Sequence, residues 1–324
     1  YNRESAPNEN YARELYELFC LGEGNGYTEQ DVIETARALT GYVNYGQVGC
    51  SLVTFDPTQF DATTKTIFGQ TGAWGYTDVI DILFNERPNE IGIFIAQKLY
   101  TFFIHPDPDT PEAQTIISGL AATFIQSNFQ IAPMVAQLLK SAHFFDDTAV
   151  GVIIKSPFDL FLNLINETSF SYSDANIESI IDVCEMLSQR MFNPFDVAGW
   201  QRNRSWINTN FMIGRWLTSE MFIDLFWQAD PEQFRAFGIA CAGPQGGTTN
   251  DPTLIANAII NKILPKGLLA DELQNAIDTF LDEALVEYYA GGSDPSWNMY
   301  WTGADQKVYL LLQHLVKQPE FQLK

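Results

Sequence analysis

The sequence predicts a mainly α protein, a multi-helix globular domain with a small β-hairpin and loop excursion around residues 43–70. Apolar residues recur at three and four over most of the chain, and the segments so patterned open on Ser or Thr caps or on a first-turn proline. Between Tyr42 and Gly75 that period gives way to glycines and short β-favouring runs.

The first helix runs through "NENYARELYELFCLG", with Asn8 or Ser5 as its start and Gly22 as its stop. "YTEQDVIETARALTG" follows, where Thr28 caps, Asp31 completes the capping pattern and Gly41 ends the period. After the excursion, which contains "SLVTF" and "KTIFG", Thr77 is expected to cap a helix, and Pro88 opens "NEIGIFIAQKLYTFFI". Further helices are expected from Pro111 to about residue 126, over 131–142, from Pro157 behind the Ser156 cap, and over "NIESIIDVCEMLSQRM". "TNFMIGRWLTSEMFIDLFWQ" is apolar almost throughout and is expected at the centre of its fold. Residues 1–240 are grouped as a helical core carrying the loop insertion, 241–252 as a linker-like loop, and 253–324 as helices packing on that core.

Apolar residues make up 46% of 324, enough to bury a core of ordinary size. Forty acids against 18 Lys and Arg leave a charge of −22, which argues against a nucleic-acid partner and against adsorption on anionic lipid. No run is long and apolar enough for a transmembrane segment. The scattered cysteines exclude a zinc ribbon. Cys20 and Cys184 lie in apolar periods and read as buried thiols, whereas Cys50 and Cys241 fall in Gly-rich stretches that suit a disulfide.

No nucleophile elbow, phosphate-binding glycine loop or zinc-protease motif is present, and His105, His143 and His314 stand far apart. Asp107 and Asp109, beside His105, could offer oxygen ligands to a Ca²⁺ ion but better suit a Pro-stiffened turn with solvated acids; no other cofactor is implied. Glu9 and Arg13 are spaced to pair on one helical face, with Glu14 beside them. Lys65, Lys98, Lys155 and Arg215 are cations embedded in apolar segments, where each needs partners, as part of either a site or a register-fixing network. In "DVAGWQRNRSWINTNFMIGRW", Trp200 and Trp206 alternate with amides such as Asn208, a mixture that suits a sugar ring, an acidic partner or a helix corner. "SDPSWNMYW" repeats the same chemistry more weakly.

These stretches, with "FDATTKTIFG", "IAQKLYTFF", "KSPFDLFL" and the closing "PEFQLK", resemble in order the bacterial "domain of unknown function 1800" family. The resemblance implies a mostly helical, commonly exported protein of which this chain is the C-terminal part, and it brings no established activity. Asn8, Glu9, Asn10, Tyr11, Arg13, Glu14, Asp61, Lys65, Lys98, Lys155, Trp200, Trp206, Asn208 and Arg215 fall on the family's motif positions. Phe60 and Thr63 replace the family's usual histidine and glycine before Lys65, Gln201 and Arg202 replace its Pro-Gly, and Asp159 replaces a glutamate. The expected function is therefore that of a non-enzymatic extracellular, cell-surface or periplasmic protein that binds a partner protein or glycan or assembles with itself. The alternative is a hydrolase of polysaccharide or ester using Glu9, Glu14 and Asp61, since two carboxylates suffice for glycoside cleavage.

Overall fold

The computed structural model describes residues 2–43, 53–243, 250–282 and 297–324. The protein is mainly α, with thirteen α-helices and two short antiparallel strand pairs among those residues. It divides into two compact units, Tyr1–Phe144 and Phe145–Lys324.

In the first unit α1 (Glu9–Glu14) is capped by Asn8, whose side chain accepts the Tyr11 amide. It does not continue as an α-helix. Leu15–Cys20 form a π-helical turn, and the amides of Leu21 and Gly22 both reach the Tyr16 carbonyl, at 2.7 and 3.1 Å. Such turns widen a helix by a residue and recur at functional sites. Gly22 leaves the turn at φ +94°, a conformation open to glycine at little cost. α2 (Glu29–Ala38) begins with the Thr28–Asp31 capping box that the sequence predicts.

The excursion holds β1 (Tyr42–Val43) against β2 (Thr54–Phe55), and β3 (Lys65–Ile67) against β4 (Gln70–Gly72). The second pair closes through Phe68 and Gly69, both at positive φ, as the twist of a two-residue hairpin requires. Phe68 tolerates φ +48° because its amide donates to Asp31 at 2.8 Å and its ring packs between Tyr16 and the Arg87 guanidinium. α3 (Tyr76–Glu86) starts at Gly75, whose amide donates to Asp78 at 2.9 Å; the expected cap, Thr77, lies one residue inside the helix. α4 (Pro88–Phe103), α5 (Pro111–Gln126) and α6 (Ile131–Leu139) complete the unit.

The second unit contains α7 (Pro157–Thr168), opened by the Ser156–Asp159 capping box, and α8 (Asp174–Met186). α9 (Thr209–Ala229) buries Phe222, Ile223 and Phe226. α10 (Glu232–Ala242), α11 (Pro252–Ile263), α12 (Ala270–Leu281) and α13 (Ala304–Leu315) follow. Their core is built around Phe170, whose ring lies 4.4, 5.7 and 5.8 Å from those of Phe234, Phe237 and Phe226. Cys241 lies in α10 as a free thiol, where the sequence suggests a loop; Cys50, the partner considered for it, lies outside the described residues.

Candidate functional site

The charges of the opening motif do not pair as their spacing suggests. Arg13 turns away from Glu9 and meets Glu29 of α2 at 2.5 Å and Glu17 at 3.6 Å. Arg13 selects Glu29 because α2 brings that carboxylate alongside, which one-helix spacing does not encode. Glu9 is exposed and Glu14 half-buried, and neither makes a side-chain hydrogen bond among the described residues.

The network expected there is built instead between α2 and the segment before β3. Arg37 donates to Asp61 at 2.8 Å, to Glu34 at 2.7 Å and to Thr63 at 2.6 Å. Asp61 also accepts the Thr63 amide and hydroxyl, while its own amide donates to Thr40 at 2.8 Å. Burial by itself would raise the Asp61 carboxyl, but the Thr63 hydrogen bonds and the Arg37 guanidinium outweigh it and hold the group below the usual carboxylate range. Lys65 is 1% exposed, with its ammonium on the carbonyls of Asp61 and Thr63 and 4.9 Å from the centre of the Phe60 ring. Burial depresses its pKa against the attraction of Asp61. Asp61 and Lys65 thus make their polar contacts inside the protein, which holds the hairpin on α2.

Above this frame lies an aromatic face. Tyr42 and Phe55 are directly paired across β1 and β2, their rings 5.3 Å apart; Tyr76 meets Tyr42 edge-on at 5.6 Å, and Phe60 lies 5.5 Å from Phe55. Gly41 makes the arrangement possible, since a Cβ there would stand 2.7 Å from the Phe55 ring and its φ is +90°. Tyr42, Phe55 and Tyr76 are 40–49% exposed and border, with Phe60, Thr77 and Asp78, a hollow of about 170 Å³. Tyr11, also exposed, approaches Tyr76; burial first and that neighbour second raise its phenol. The hydroxyls of Tyr11, Tyr42 and Tyr76 make no hydrogen bond among the described residues. Phe60 stands where the resemblance places histidine. It gives this face another ring and no titratable group.

Lys98 is exposed on α4, over the Phe94 ring at 4.5 Å, and lines a separate cleft of about 340 Å³ with Leu21, Gly22 and Asn25 at the exit of the π-turn. Asp107 accepts the amide of Asp109 at 3.0 Å within its turn, and no cluster of three or more metal-binding side chains occurs among the described residues.

In the second unit Lys155 and Arg215 clasp the final segment. The Lys155 ammonium donates to the Phe321 carbonyl at 2.9 Å and sits 4.6 Å from that ring's centre. Arg215 donates to Gln322 at 2.6 Å and to the Lys155 carbonyl at 2.7 Å. Isolated bridging between Ile154 and Leu323 adds backbone pairing. Lys155 is 2% and Arg215 0% exposed; burial lowers the first to about 8 and the second to about 10. Trp206 is buried, Trp200 donates its ring N–H to the Arg190 carbonyl at 3.0 Å, and Asn208 caps α9 through the Phe211 amide at 2.9 Å. Lys65, Lys155, Trp206 and Arg215 are therefore turned inward, away from any ligand at the protein surface.

A family model described as "Protein of unknown function (DUF1800)" matches residues 1–323. The chain belongs to the DUF1800 family. No curated protein and no solved structure gives a significant match. Of the motif positions in this DUF1800 chain, Asp61, Lys65, Lys155 and Arg215 are internal ties, while Tyr11 borders the open aromatic face. Sequence reasoning missed Tyr42 and Phe55 because two-residue strands carry almost no periodic signal, and Tyr76 because it opens α3, where nothing local tells that its ring meets Tyr42. The glycine before Tyr42 and the aromatic at Phe55 were the available clue.

Proposed function

We propose that this protein is a non-enzymatic extracellular or cell-surface protein that binds glycan through the aromatic face of its first unit. The observation carrying the reading is the set of half-exposed rings Tyr42, Phe55 and Tyr76 around one hollow, with phenol hydroxyls left unpaired among the described residues. Flat apolar rings suit the C–H faces of a pyranose, and free hydroxyls suit its polar edge. The hydrolase alternative is weakened by Asp61, 6% exposed and tied to Arg37 and Thr63, and none of Glu9, Glu14 or Asp61 lines the hollow or the cleft beside Lys98.

A glycan array with the purified chain, followed by titration of the best binder, tests this. At about 1 kcal/mol for each stacked ring, Tyr42→Ala and Tyr76→Ala should each weaken binding roughly five- to tenfold with the fold intact. Absence of any saturable glycan binding, or binding indifferent to both substitutions, would remove the proposal. Large assemblies seen by light scattering would favour self-association in its place.

A further inference from the structure

A separate cavity in the second unit has no part in the aromatic face. It measures about 640 Å³, within the size range of small-molecule sites. Its lining comes from the C-terminal end of α7 with Ser169 and Phe170, from α10, and from α11. Phe170 and Phe237, packed edge to face at 5.7 Å and 3% and 6% exposed, close its bottom with the edge of the core. Ala236 and Ala240, one turn apart on α10, keep one wall low, so the space is created by small side chains on a helix that is otherwise firmly packed.

The polar groups decide the class of occupant. Glu167 and Lys262 are the charged residues of the lining, and they neutralise each other at 2.6 Å. The pair is a third to a half exposed and leaves no free countercharge for a charged ligand, whose charge would be brought against apolar wall. The Asn261 side-chain amide, by contrast, is exposed at the rim, makes no hydrogen bond among the described residues, and offers both N–H donors and a carbonyl acceptor to a neutral group. Cys241 adds a half-buried thiol that burial pushes up to about 11, so at neutral pH it is a small, weakly polar part of the wall.

We propose that this cavity is a binding site for an uncharged, mostly apolar small molecule bearing a hydroxyl or amide, with its ring or chain against Ala236 and Ala240 above the edges of Phe170 and Phe237, and its polar end at Asn261. Selectivity follows from the lack of a free countercharge: neutral molecules are preferred, and organic anions and cations of the same shape are disfavoured.

The test uses the full chain and the uncharged fluorescent probe N-phenyl-1-naphthylamine, with Cys241 as a second reporter. Expected are saturable fluorescence enhancement at one probe per chain and slower maleimide labelling of the Cys241 peptide when the probe is present. Ala240→Phe, at an exposed position, should fill the cavity and weaken binding at least tenfold while the circular dichroism spectrum is retained. Ala236→Phe, on the same wall, serves if Ala240→Phe does not fold. Absence of saturable binding, binding that leaves Cys241 labelling unchanged, or binding unaffected by the folded filling variant would each overturn the assignment.

Discussion

Replacing Lys155 by methionine tests the buried clasp most directly. The ammonium is 2% exposed, and burial holds its pKa near 8 against about 10.4 in an unfolded chain. A base whose folded pKa is depressed binds fewer protons folded than unfolded between those values, so stability must rise with pH across that window. The penalty for keeping Lys155 charged is present in full below pH 8 and amounts to about 3 kcal/mol. Opposing it, the charge-assisted bond to the Phe321 carbonyl is worth about 1.5–3 kcal/mol. Methionine retains the stem beside the Phe321 ring, loses the bond and relieves the penalty. At pH 7 the two effects nearly cancel, and Lys155→Met should lie within about 1.5 kcal/mol of the parent. By pH 9 the parent amine is mostly neutral and still donates, so the parent gains about 1.3 kcal/mol relative to the variant. The buried thiols of Cys184 and Cys241 pull stability the other way as pH rises, but they are common to both proteins and cancel in the difference. Paired urea unfolding curves at the two pH values read it. A difference that stays constant to within about 0.3 kcal/mol would refute the reasoning.

Arg37→Ala should destabilise the protein by about 3 kcal/mol in denaturant titration, because it leaves the Asp61 carboxylate buried beside a lost partner. Glu14→Gln should change stability by less than about 0.5 kcal/mol despite its motif position, since its carboxylate makes no hydrogen bond among the described residues. Gly41→Ala places a Cβ 2.7 Å from Phe55 at positive φ, so thermal unfolding should show a loss of about 1–3 kcal/mol. The same variant should lose glycan binding, because the Phe55 ring must move.

The sequence by itself determined the elements whose causes are local. Thr28 with Asp31, Ser156 with Asp159, Pro88 and Pro111 mark helix starts that stand where they were expected, because a cap or a first-turn proline acts within one turn. It also singled out Lys65, Lys155 and Arg215 as cations in need of partners, since a charge in an apolar run is costly wherever it lands. Tertiary structure decided which partners they take: carbonyls of their own loop for Lys65, and a segment more than a hundred residues away for Lys155 and Arg215. It moved Arg13 from Glu9 to Glu29, widened the first helix into a π-turn, and gathered Tyr42, Phe55 and Tyr76 on one face. Spacing constrains neighbours three or four residues apart, whereas these contacts depend on how separate elements approach, and that is settled only when the core packs.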